Sequence, residues 1–136
     1  MAHIVIEYSA GLRDRLALPA LLAAVHQAAL ATGIFPIGGL RTRAYEAQHY
    51  FIADGHPDNA FVHLSLKVGH GRDVTTRKQA GEAIFDAACR QLAPIYESQP
   101  LAISLEMQEI DAVLTFKKNN LHEQVEQRQS SAPGRA

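Results

Sequence analysis

AFVHLSLKVGHGRDVTTRKQAGEAIFDAACRQLAPIY, residues 60–96, changes its hydrophobic period part-way along, and that change decides the fold. From Ala60 to Val68 apolar and polar residues alternate, the period of a strand. GHGRD, residues 69–73, is a glycine-punctuated loop. Thr76 and Gln79 then match a capping box, which predicts a helix running to about Tyr96 with Ala80, Ile84, Ala87, Ala88 and Leu92 as its core stripe. Pro100 precedes a second strand-like run, LAISLEMQEI, that closes before Asp111.

The same order precedes this stretch. HIVIEY, residues 3–8, alternates, with Ile4 and Ile6 on one face and Val5 on the other. LPALLAAVHQAALAT, residues 18–32, sets Leu18, Leu21, Leu22, Val25 and Ala29 at helical spacing; Pro19 suits its first turn and Gly33 its C-terminal cap. After IFPIGG, LRTRAYEAQHYFIAD predicts a strand from about Leu40 to Ile52, and ADGHPDN a turn broken by Gly55, Pro57 and Asn59. Strand, helix, strand thus occurs twice, in pseudo-repeats of about 2–58 and 60–115. Ile4, Ile6 and Gly11 fall opposite Leu64, Leu66 and Gly71.

A right-handed β-α-β unit sets its strands parallel with the helix on one sheet face. Two fused units predict an α+β fold, a four-stranded sheet with two helices on one face. This single domain is expected over residues 1–122, followed by a polar C-terminal tail, 123–136, that lacks apolar periodicity and is expected to be flexible. Val5, Val62 and Phe61 cannot all point at the helices, so the second sheet face is expected to be apolar, and oligomerisation is the simplest cover for a chain this short.

At 136 residues the chain is sized for one core, and 47% hydrophobic with 20% charged residues is ordinary globular usage. Thirteen Lys plus Arg against fourteen Asp plus Glu leave a net charge of −1, which supplies no bulk field for nucleic acid or an anionic membrane. An anionic ligand must be held by locally placed Arg or Lys. Cys89, the single cysteine, excludes an internal disulfide and a Cys-rich zinc site and suits a reducing compartment, so a cytoplasmic protein is expected. MAHIVIEYS is not read as a leader, and no apolar run reaches the roughly 18 residues of a membrane span.

Few residues carry chemistry. Gly69, His70, Gly71 and Arg72 lie between a strand and a helix, where backbone N–H groups and a helix N-terminus favour an anion and Arg72 adds a two-donor clamp. Two glycines in a tight turn are the plainer account of that stretch. Arg41 and Arg43, two apart on a strand, share a face. Their guanidiniums repel unless an anion sits beside them, and a solvated edge is the alternative. His49, His56, His63 and His70 recur every seven residues but fall on a strand, a turn, a strand and a loop, so no three converge and no metal site is expected. Cys89 reads as a buried, inert thiol, and Lys117 with Lys118 as a solvated basic pair. A first strand beginning at residue 2 or 3 would fix the α-amino group, a base with an ordinary pKa of about 7.7 to 8.0.

ATGIFPIGGLRTR, ADGHPDNAFVHLSLKVGHGR, RKQAGEAIFD, LAISLEMQEID and LTFKKNNLHE together resemble the 5-carboxymethyl-2-hydroxymuconate Δ-isomerase family of the tautomerase superfamily, over roughly residues 2 to 122. The resemblance implies a homotrimer without metal or organic cofactor. It also implies a role in aromatic degradation through homoprotocatechuate, with a double bond moved in an unsaturated di- or tricarboxylate. The family's base is an N-terminal proline exposed by loss of the initiator Met; Ala2 stands at the matching position here. The family's substrate-binding arginines match Arg41 and Arg72. The alternative is a trimeric anion-binding or scaffold protein that keeps the pocket without turnover.

Overall fold

A computed structural model describes residues 1–131; the last five residues of the expected tail lie outside the described residues. Strand β1 (Ala2–Ser9) leads through a 3-10 turn at Ala10–Leu12 to helix α1 (Leu18–Ala31), and a second such turn at Ile37–Gly39 precedes β2 (Leu40–Ala47). Strand β3 (Ala60–Val68), helix α2 (Val74–Tyr96) and β4 (Leu101–Glu109) repeat the pattern, and helix α3 (Leu121–Ser131) follows. The sheet order is β2-β1-β3-β4: each β-α-β unit has parallel strands, and the units join through antiparallel β1 and β3.

Register decides which side chains face the helices. Ile4 lies opposite Thr42 and Leu66, Ile6 opposite Ala44 and Leu64, and Leu64 opposite Leu105, so these residues share one face. Ile4, Ile6, Val62, Leu64 and Leu66 are buried there against Leu21 and Val25 of α1 and Ile84 and Leu92 of α2. Each such side chain contributes about 1.5 to 3 kcal/mol of transfer free energy. Leu21, Val25 and Ala29 recur every four residues and form the buried stripe of α1. Gly33 takes a φ of 77° just past its end, as expected of a cap.

Four local expectations are corrected. The alternation after Leu40 overran the strand, because β2 is an edge strand whose one neighbour ends at Ser9, paired with Ala47. The helix after Gly71 opens at Val74, and Asp73, not Thr76, caps it by accepting the Thr76 N–H at 2.7 Å. Val62 points to the helices. The opposite face carries Val5 and Phe61 among His3, Glu7, Arg41, Arg43, His63, Ser65 and Lys67, and is polar rather than apolar. The start of the polar tail is helical: α3 has no buried residue, yet it docks by its first turn on Gly38. A Cβ on Gly38 would lie 2.7 Å from His122 Nδ1 and 2.8 Å from its backbone, so only glycine permits that approach. Asn119 ties the same place, donating to the Gly38 carbonyl at 2.9 Å and accepting the Leu121 N–H at 2.7 Å.

Candidate functional site

The topology gathers four segments at one end of the sheet. Ala2 pairs with Leu40 on one side and Val68 on the other, so the start of β1 adjoins the start of β2 and the exit of β3. Ile110, donating to the Val68 carbonyl at 2.7 Å, brings the exit of β4 alongside. A cavity of about 240 Å³ opens there, lined by Met1, Gly69, His70, Ile110, Asp111, Ala112, Thr115 and Lys117.

Three cations face this end. Arg72 stacks over the Phe35 ring at 5.4 Å, donates from Nη1 to the Gly69 carbonyl at 3.2 Å, and donates from Nη2 to the Ile34 carbonyl. Its charge is fixed in place, and part of its fork is already occupied. The Nη1 of Arg41 is buried without a hydrogen-bond partner among the described residues. A buried, unpaired N–H of a charged group costs at least about 1 to 3 kcal/mol, so an anion that accepts it restores that loss. Lys117 is the third, and it forms no ion pair among the described residues. Burial, followed by Lys117, Arg72 and Arg41 in that order, holds the Met1 α-amino group below its ordinary value.

The structure brings Arg41, Arg72 and the chain terminus together and sends the other candidates elsewhere. Arg43 turns to His3, 3.2 Å from Nη1 to Nδ1, and donates to the Tyr45 hydroxyl at 3.2 Å. The backbone anion cradle expected at Gly69–Arg72 is closed: the Gly71 N–H goes to Glu109 at 3.3 Å, and Asp73 occupies the helix N-terminus. The charge that remains on that loop is the Arg72 guanidinium. His49 is exposed, His56 sits in the turn after β2, His63 contacts Ser104 at 2.6 Å and His70 lines the cavity. Among the described residues no three His, Cys, Asp or Glu gather. Cys89 is half-buried, and burial raises its thiol pKa, which disfavours the thiolate. Lys117 reads in the sequence as half of a solvated pair and Asp111 as a strand end; Asp111 is placed by the exit of β4, and Lys117 by the segment that docks on Gly38. The signal was the Gly38–Gly39 pair, a landing place for a later segment.

Two fused β-α-β units in one four-stranded sheet define a class of fold. The fold is shared with a wild-type fused 4-OT solved as a symmetric trimer, at a TM-score of 0.63 and 17% identity, over 85% of this chain and 93% of that one. The family model for 5-carboxymethyl-2-hydroxymuconate isomerase matches residues 2–125. The Escherichia coli 5-carboxymethyl-2-hydroxymuconate Delta-isomerase is 42% identical over 122 residues, spanning 90% of this chain and 97% of that protein. The crystal structure of a 5-carboxymethyl-2-hydroxymuconate isomerase from Deinococcus radiodurans R1 matches at a TM-score of 0.85 and 36% identity, over 91% and 93% of the two chains. The chain belongs to the 5-carboxymethyl-2-hydroxymuconate isomerase family, as the ordered motifs implied, and is an isomerase.

Proposed function

We propose that the protein transposes a carbon–carbon double bond in an unsaturated di- or tricarboxylate, with the terminal amine as the base that carries the proton. The neutral amine takes a proton from an enol hydroxyl or an activated carbon. The electron pair spreads through the conjugated system as a dienolate, and the ammonium returns the same proton further along it. Arg41 and Arg72 bind carboxylates and stabilise the charge that develops. The observation that carries this reading is the Nη1 of Arg41, buried without a hydrogen-bond partner among the described residues, near a Met1 amine held below its ordinary pKa by burial and the surrounding cations.

The amine that works is assigned to Ala2. Met1 lines the cavity and its carbonyl carbon is bonded to the Ala2 nitrogen, so removing Met1 leaves a primary amine on the floor of the vacated space. With Met1 retained, the amine stands one residue out, by about 3.3 to 3.6 Å, a misplacement that costs proton transfer heavily. The assembly is assigned as a homotrimer. Its support is the trimeric fused 4-OT of the same fold, together with exposed Phe51, Val113, Leu114 and Phe116 on loops. Cytoplasmic placement accords with one cysteine and no pairing partner. No helix among the described residues is long and apolar enough to cross a membrane.

Ala2→Pro tests the assignment. Confirmed as processed by intact mass, the variant should isomerise a 2-hydroxymuconate-type acid faster than the processed parent, because proline's ring fixes φ and restricts the amine. Silence of both, with the trimer intact by light scattering at about three times 14.9 kDa, would favour the anion-binding reading, for which the absence of proline at position 2 is the supporting observation.

A further inference from the structure

We propose that Lys117 binds a carboxylate of the substrate and sets the preference of this site for three carboxylates over two. The inference rests on the isomerase reading above and assigns a residue to the charge that two arginines leave over.

Adjacent lysines are separated by the fold. Lys117 lines the cavity beside Met1, whereas Lys118 does not. The segment that carries Lys117 is held at both ends. On one side Asp111 Oδ1 accepts the N–H groups of Val113 and Leu114 at 2.8 and 2.7 Å. On the other, Asn119 donates to Gly38, and α3 seats His122 against that same turn. Gly39 completes the link, since a Cβ there would lie 3.7 Å from Met1 Cα and 3.5 Å from His122 Cε1. The chain after β4 is therefore a strap drawn across the start of β1, and α3 is its fastening.

Lys117 also forms no ion pair with a carboxylate among the described residues. Asp111, the one carboxylate lining the cavity, spends an oxygen on two backbone N–H groups and forms no ion pair with the lysine. An ammonium is a compact point charge on a flexible stem, suited to a carboxylate whose position varies, while the guanidiniums of Arg41 and Arg72 are planar forks. The tricarboxylate limit of the proposed substrate class then matches three cations. Lys117 is also the largest charged contributor to the depression of the Met1 amine pKa. The other groups around that amine are Arg41 from β2, Arg72 from the loop before α2, His3 on β1, His70 and Asp111 in the cavity, and His122 from α3.

The test uses the full chain with two inert probes, tricarballylate and glutarate, in titration calorimetry. Lys117→Met should weaken tricarballylate by roughly tenfold or more and leave glutarate within about twofold, since one charged hydrogen bond is lost. Lys117→Arg should restore most of the loss, and Lys118→Met should change neither probe. In turnover, Lys117→Met should move the acid limb of kcat/KM to higher pH, which a merely structural role would not do. Equal weakening of both probes, or of neither, overturns the proposal. If Arg41→Ala leaves both probes unaffected, the anion-pocket reading itself fails; if Arg41→Ala weakens both while Lys117→Met weakens neither, only the role of Lys117 fails. Should Lys117→Met lose its fold by circular dichroism, Lys117→Gln is read by the same criteria.

Discussion

At one end of the sheet the turn after β1 delivers Arg13 to Glu46 of β2, with Nε and Nη2 on the two carboxylate oxygens at 2.8 and 2.6 Å. At the other end the pseudo-equivalent turn after β3 delivers Arg72 to backbone carbonyls and an aromatic ring, with no carboxylate partner among the described residues. Gly11 donates to the Tyr50 hydroxyl at 3.1 Å, and Arg15 reaches Ser98 and Gln99, so the first end is laced shut. Ala60, which opens β3 as Ala2 opens β1, follows Asn59 through a peptide bond and donates its N–H to Pro100 at 3.1 Å. Duplication of a β-α-β unit makes two similar ends. A cation matched by a carboxylate is a strut, and a cation left without one beside the terminal amine is the one proposed to meet a ligand.

Blocking the amine should break this contrast hardest. A retained extension ahead of Met1, verified by intact mass, leaves Arg41 and Arg72 in place but buries or displaces the base. Turnover should fall by about 10² to 10⁴, the range that a positioned general base supplies. The blocked protein should still bind tricarballylate in calorimetry, because the cations remain. Unchanged turnover would remove the amine from the mechanism.

Arg41→Ala should come next, weakening a dicarboxylate by about 1.5 to 3 kcal/mol in calorimetry, with Arg41→Lys recovering only part. Arg72→Ala should cost less affinity and more stability, since two of its donors serve the Ile34 and Gly69 carbonyls and its face covers Phe35. A thermal melt beside each titration separates the two costs. The reverse order would make Arg72 the principal clamp.

The contrast was only half legible in the sequence. Periodicity placed both β-α-β units, and Arg41 and Arg72 could be matched through the motifs that hold them. Alternation across β3 sets Val62 with Leu64 and Leu66, and pairing with β1 puts that set on the helix side; the polarity of the opposite face depends on Arg41 and Arg43 of β2 joining His63, Ser65 and Lys67, which the pairing of strands decides. The end of β2 was set by its partner's length rather than by its own letters. Lys117 was hidden for a further reason. It owes its position to α3, which buries no apolar residue and docks through the close approach that Gly38 permits, leaving no hydrophobic pattern to read.

The pH dependence sharpens the same contrast. Burial and the surrounding cations lower the pKa of the Met1 amine, and the Ala2 amine exposed by loss of Met1 would stand among the same cations, so kcat/KM should rise with pH and level off below the region of about 7.7 to 8.0 where a free α-amine titrates. Linkage has the same sign: the unfolded chain binds the extra proton first as pH falls, so stability rises with pH up to the unfolded value and declines below it. His3 is also held low, by burial and then by Arg43, Arg41, Lys67 and the terminus, and it extends the decline below the ordinary histidine range. Thermal melts across pH 5 to 9 should slope upward, and the slope should shrink in the histidine region in His3→Gln. A melt that gains stability on acidification would contradict both directions.

The smallest effect is expected at the laced end. Arg13→Ala removes a solvent-exposed partner of Glu46, far from the amine, and should leave kcat/KM within about twofold of the parent. Glu46→Gln is the sharper variant, because it keeps the Arg13 cation and deletes its carboxylate, imitating at this end the charge imbalance of the other. If an unmatched arginine alone made a site, Glu46→Gln would gain a second tricarballylate equivalent in calorimetry. None is expected, since Arg13 lies open to water, where an ion pair is screened and weak, and the adjoining strand start holds no free amine. A second equivalent would show that cation imbalance suffices; a stoichiometry of one per chain would show that burial of the cation beside the chain terminus is what turns a repeat's end into a site.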